Sequence, residues 1–207
     1  MTIPEDIKQI FFETLLGDKT ILEFEKWLYE DERLQQIINE EDYLDLISFN
    51  YKSAKAKYGL NTLFEKFINK AEFEKRRILK LLYKALNKEK DLPQILMTFY
   101  DLYCRNYGFF DNLGLGFGLA VEVPNSQANS WNELSIEQQQ DLLNSFYPTL
   151  EIEIKKVITW IEEGKIILTG TKDENNHFIY EDNRTKNEKK AYSLSDYFYK
   201  INYEHKI

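Results

Sequence analysis

Apolar residues recur at helical spacing along most of the first 165 positions. Ile7, Ile10, Phe11 and Leu15 fall at i, i+3, i+4 and i+8, which gathers them into one stripe of a first helix. Pro4 suits a helix entry, Glu5 and Asp6 favour its positive end, and Gly17 marks its stop. Thr20-Ile21-Leu22-Glu23 has the hydroxyl and carboxylate of a capping box, followed by a stripe of Ile21, Phe24 and Leu28 with Trp27 beside it. Leu34 and Ile38 continue that stripe, with a kink expected near Asp31. Asn39 is positioned to cap a third helix carrying Tyr43, Leu44, Leu46, Ile47 and Tyr51, and Leu60, Leu63, Phe64, Phe67 and Ile68 mark a fourth.

The same period continues. From Glu72 to Asn87 the stripe is Ile78, Leu81, Leu82 and Ala85, with Lys75, Arg76, Arg77, Lys80 and Lys84 on the other positions. Asp91 stands at the cap of a helix with Leu92, Ile95, Leu96, Phe99, Leu102 and Tyr103, broken by Gly108. Ser135 to Phe146 and Pro148 to Glu163 read as a further helical pair. After Gly164 the pattern shortens. Ile166-Ile167-Leu168 and Phe178-Ile179-Tyr180 flank the turn residues Asp173 to Asn176, which predicts a hairpin over 165–181. Two strands alone are marginal, so the hairpin must lie on helices or gain a third strand from Leu119 to Val123 or Lys189 to Tyr192. Ser193 to Tyr203 reads as a short aromatic helix. The expected architecture is mainly α, a single compact domain over 1–207 with about eight helices and that small β-hairpin.

Composition agrees with a packed core. The chain has 207 residues, 43% hydrophobic and 30% charged, which excludes a disordered polymer. Its net charge of −8 argues against non-specific binding to nucleic acid or anionic membranes. The charge is uneven: residues 1–50 hold 4 basic and 13 acidic side chains, 51–110 hold 13 and 6, and 111–207 hold 10 and 16. Adjacent blocks of opposite sign either pair in the fold or present a charged binding surface. The single cysteine, Cys104, excludes an internal disulfide and reads as a small buried hydrophobe in an aromatic stripe. The N-terminus lacks the basic start and apolar run of a signal peptide, and no apolar run approaches the roughly 20 residues of a membrane helix. A cytoplasmic protein with no membrane partner is expected.

Candidate chemistry is sparse. Gly114, Gly116 and Gly118 form G-x-G-x-G, which lacks the spacing of a dinucleotide fingerprint and predicts a close-packed turn or extended segment. The stretch from Gly108 to Leu134 is nevertheless long for a connection, which makes it a candidate binding loop. His177 and His205 have no second ligand at metal spacing, and Asp173 to His177 lacks the glycine and closing glutamate of a calcium loop, so neither metal nor cofactor is expected. No nucleophile and base constellation is legible. Glu41 and Asp45, four apart and joined by Glu40 and Asp42, place several carboxylates on one helix face. That face suits solvation, docking of a basic partner, or a hydrolase built on scattered carboxylates. Lys75, Arg76, Arg77 and Lys80 raise the further alternative of an adaptor or regulator that touches nucleic acid through one helix.

Phe24-Glu25-Lys26-Trp27-Leu28-Tyr29, followed by Asp42-Tyr43-Leu44-Asp45-Leu46-Ile47-Ser48-Phe49-Asn50-Tyr51-Lys52, resembles small bacterial proteins of the toxin-immunity kind. Those proteins have a helix ending in Trp-x-Tyr, an acidic stretch, and a second helix reading Tyr-Leu-x-Leu-Ile before Tyr-Lys. The resemblance covers residues 20–68, about a quarter of the chain. It implies a non-enzymatic protein whose partner is a cognate toxin, and the acidic balance suits a basic nuclease. The expected contact set is Tyr29, Asp31, Glu32, Glu40, Glu41, Asp42, Tyr43 and Asp45.

Overall fold

The computed structural model describes residues 3–124 and 128–189. It is mainly α, with ten α-helices and one antiparallel hairpin among the described residues. The chain divides into two compact units, Met1–Phe73 and Glu74–Ile207, each with its own apolar cluster.

The first unit contains α1 (Glu5–Leu16), α2 (Ile21–Glu30), α3 (Arg33–Ile37), α4 (Glu40–Ile47) and α5 (Ala56–Phe64). The predicted stripes turn inward, with Ile7, Phe11, Phe24, Leu28, Leu34, Leu46, Leu60 and Phe64 buried together, but Leu44 of the third stripe faces outward. Phe11 lies 4.7 Å from Phe64 and 5.7 Å from Phe24, ring centre to ring centre. The punctuation follows the local chemistry. Gly17 ends α1 in the left-handed region at φ 78°, and Thr20 and Glu23 complete their capping box. Asn39 accepts from the Asp42 amide to cap α4. The expected kink is a full break, because Asp31 is extended at φ −109° and ψ 100° before α3 begins.

The second unit is organised around α6 (Lys70–Leu86, from Glu74 onward), α7 (Leu92–Cys104), α8 (Leu119–Glu122), α9 (Ile136–Ser145) and α10 (Thr149–Glu162). Ser135 and Gln138 form a second capping box at α9. The hairpin β1 (Ile166–Lys172) and β2 (Phe178–Asp182) pairs Ile166 with Asp182 and Leu168 with Tyr180, and a bulge precedes the Lys172–Phe178 pair. It gains no third strand from Leu119 to Val123. Ile166 and Leu168 are buried in the helical core instead, and Tyr107 stacks on Phe178 at 4.5 Å.

Four local expectations need correction. The expected loop from Gly108 to Leu134 is helical through Glu122, as a 3₁₀ turn (Gly108–Phe110), a π-helix (Asn112–Gly118) and α8, and a second 3₁₀ turn (Trp131–Glu133) lies near its end. The glycines therefore sit in a helix and not in an extended segment, with Gly114 and Gly118 pressed on the α7 backbone where side chains do not fit. Leu119 to Val123 continues that helix, which removes it as a strand. Asp91 occupies the cap position of α7 without a capping hydrogen bond, its carboxylate lying 3.8 Å from Lys84. Cys104 is exposed, because it follows the buried Leu102 by two positions and so faces away from the core at the end of α7. Residues 190–192 and the expected helix from Ser193 to Tyr203 lie outside the described residues.

Candidate functional site

In the first unit α4 packs against both α2 and α3, which assembles the predicted acidic residues on neighbouring elements. The Tyr29 hydroxyl donates to the Ile47 carbonyl at 2.9 Å, occupying an otherwise unpaired carbonyl at the end of α4. Its ring stays 58% exposed, and Leu44 on α4 is 51% exposed. Tyr43 differs, being half-buried against the core.

The carboxylates separate into two groups. Asp31 is held by Arg33 at 2.6 Å and accepts from the Trp27 indole at 3.2 Å, while Arg33 also reaches Asp6 at 2.7 Å. Lys66 lies 2.6 Å from Asp42 and 3.1 Å from Asp45. In each group one cation is shared by two carboxylates, so these ions are paired while each group keeps an excess of negative charge. Glu32, Glu40 and Glu41 are exposed and have no cationic partner among the described residues. Leu44 therefore provides apolar area on the α4 face that carries Glu40 and Glu41, while Tyr29 is exposed at the other end of that helix. The pairings were invisible in sequence because Asp6 and Arg33, or Asp42 and Lys66, are more than 20 positions apart.

The hydrogen bonds of Arg33 hold the Asp31 carboxyl down at about 2, against an ordinary value of 3.8, and Arg33 lowers Asp6 as well. A depressed carboxyl stabilises the fold fully above its unfolded pKa and loses that contribution as pH falls through the folded value. Arg33→Gln is therefore expected to melt below the wild type at about pH 6, with the gap closing toward about pH 2. Thermal melts across that range test this, and a gap independent of pH would refute the coupling.

The second unit holds two polar clusters. Glu74, 5% exposed, accepts from Arg77 through two hydrogen bonds of 2.8 and 2.7 Å and from the Tyr107 hydroxyl at 2.8 Å. Burial and the Glu74 charge both raise the Tyr107 phenol, which keeps it a donor. In the other cluster, Glu153 accepts from Asn112 at 2.9 Å and from Lys156 at 3.0 Å. Asp111, at the start of the π-helix, accepts from the Asn112 amide, and burial raises its carboxyl. Arg184, 8% exposed, pairs with Asp182 at 2.9 Å and covers the Trp160 ring at 4.4 Å. Sequence patterning missed both clusters because each joins residues from separate elements. Among the described residues no group of three His, Cys, Asp or Glu side chains converges as a metal requires.

No protein-family model, curated protein or solved structure matches this chain. No helix among the described residues is long and apolar enough to cross a membrane.

Proposed function

We propose that this is a binding protein of the immunity type, which neutralises a cognate toxin by covering the surface that the toxin uses. The observation that carries the reading is the exposed face of α4, where Leu44 lies three and four positions from Glu41 and Glu40, neither of which has a cationic partner among the described residues, with the exposed Tyr29 anchored at the other end of the same helix. The resemblance of residues 20–68 to immunity-type proteins supports it. A nuclease that grips phosphates presents clustered cations, and unpaired carboxylates accelerate encounter with such a surface and exclude its substrate. Aromatic and aliphatic area beside the charge supplies the affinity that charge alone does not. Asp31, Asp42 and Asp45 act as ions that fix the local shape, since Asp31 is held by Arg33 and Asp42 and Asp45 share Lys66.

The alternatives weighed from sequence gain less from the geometry. Asp111 and Glu153 are the carboxylates a hydrolase would draw on, but Glu153 is engaged by both Asn112 and Lys156. In the basic run, Arg77 is committed to Glu74.

Co-expression with the product of the adjacent gene tests the proposal. Rescue of growth and a co-purifying complex are the expected results. Reversal of Glu32, Glu40 and Glu41 to lysine is expected to slow association about tenfold or more and to abolish rescue, with the helical circular dichroism spectrum retained and the melting temperature only modestly lowered, because Glu40 and Glu41 lie in the first turn of α4. Reversal of Asp42 or Asp45 is a poorer probe, because it sets a new cation against Lys66. A non-toxic neighbour removes the proposal, and rescue that survives the triple reversal removes the proposed face.

A further inference from the structure

A second candidate site lies wholly within the second unit and does not depend on the reading above. Where α6 ends and α7 begins, two clefts of about 590 and 430 Å³ adjoin, sharing Lys90, Pro93 and Trp131 in their walls. The smaller is within the size range of small-molecule sites. Its apolar surface comes from Pro93, Trp131, Leu143 and Ile136, the last of these 86% exposed. Gln139 ties the Trp131 segment down by donating to the carbonyls of Trp131 and Leu134 at 3.1 and 3.4 Å, so this wall is preformed.

The charges of the smaller cleft do not cancel. Glu89 lies 3.4 Å from Lys84, and Asp91, in the neighbouring cleft, lies 3.8 Å from the same ammonium. Lys88 and Lys90 have no carboxylate partner among the described residues; Glu151, which senses Lys88, is held by Lys155 at 2.6 Å. The Lys88 backbone takes the left-handed conformation at φ 54°, which costs a residue with a Cβ about 1 kcal/mol. In that conformation its ammonium stands 3.8 Å over the Tyr147 ring. Two ammonium groups without a carboxylate partner thus border a cleft of mixed surface, with Gln139, Gln140 and Asn144 beside the Trp131 and Pro93 side chains.

We propose that the smaller cleft binds an organic carboxylate with a flat apolar body, the body lying against Trp131 and Pro93 and the carboxylate between Lys88 and Lys90. The Trp131 and Pro93 surfaces offer area that a bare inorganic anion would leave uncovered, and the Glu122 carboxylate in the neighbouring cleft disfavours a ligand of higher negative charge.

The test is titration of the full-length protein with indole-3-propionate and, separately, with its neutral amide, followed by NMR at the Trp131 indole N–H. Saturable shifts at Trp131 are expected, with the acid binding about tenfold more tightly than the amide. Lys88→Gln combined with Lys90→Gln is expected to bring the acid down to the affinity of the amide. Equal affinity of acid and amide for the wild-type protein overturns the proposal. So does a response confined to the indoles of Trp27 and Trp160, or no response at all. The comparison of acid with amide needs only the wild-type chain, so it decides the matter even if the double variant folds poorly.

Discussion

Gly118→Ala is expected to destabilise the second unit by about 3 kcal/mol or more, near or above the upper end for overpacking. A Cβ at this position collides with the Leu96 carbonyl oxygen and lies 2.9 Å from the Tyr100 Cβ and 3.1 Å from its amide nitrogen. The obstacles are mainly backbone of α7, which cannot rotate aside as a side-chain end does. Gly114→Ala meets the same kind of wall, with the Phe99 carbonyl oxygen at 2.9 Å. Gly164→Ala is the control in the same unit: its φ of 71° is left-handed but nothing lies within 4 Å of the added carbon, so only about 1 kcal/mol of backbone strain is expected. Urea unfolding followed by circular dichroism ranks the three variants. A Gly118→Ala cost no larger than that of Gly164→Ala would show that α7 and the π-helix are not in this close contact.

The second large effect is at Glu74. Its carboxylate joins Arg77 and Tyr107, and the Tyr107 side chain is fully buried. Glu74→Ala leaves the partly buried guanidinium and the buried hydroxyl without their acceptor, a loss of about 3–5 kcal/mol. Tyr107→Phe removes the hydroxyl together with its need for a partner, keeps the aromatic stack on Phe178, and leaves Glu74 paired with Arg77. It is expected to cost about 1.5–3 kcal/mol, as for a hydrogen bond to a charged group. The two costs should combine to less than their sum, because once the acceptor is gone the second substitution deletes an orphaned donor. Denaturant midpoints of the two single variants and the double variant test this. The network has no such role if Glu74→Ala is the milder of the two single substitutions.

Legibility followed the distance over which each signal acts. The helix stripes, both ends of α1, the capping box at Thr20 and the hairpin turn depend on residues a few positions apart, and local pattern located them. The acidic residues were legible as a list, but their division into paired and unpaired ions was not. Lys66 decides the state of Asp42 and Asp45 from the far side of α5, and Arg33 decides that of Asp31 and Asp6. Tyr43 looked equivalent to Tyr29 until packing placed one against the core and left the other exposed.

The glycine run shows the limit most clearly. Three glycines at alternate positions predict an irregular or extended segment, because glycine is a poor helix former. Close approach to the α7 backbone reverses that preference, since the absence of Cβ atoms at Gly114 and Gly118 lets two helical segments touch. By itself, the sequence determined the helical class, the ends of α1, the start of α2 and the blocks of charge, all of which follow from spacing and local capping chemistry. Only the tertiary structure decided which carboxylates are paired, that Gly108 to Glu122 is helical, and that Lys88 and Lys90 stand without a carboxylate partner among the described residues. Those outcomes depend on groups brought together from separate elements, and the energy of such contacts is defined only once the chain has folded.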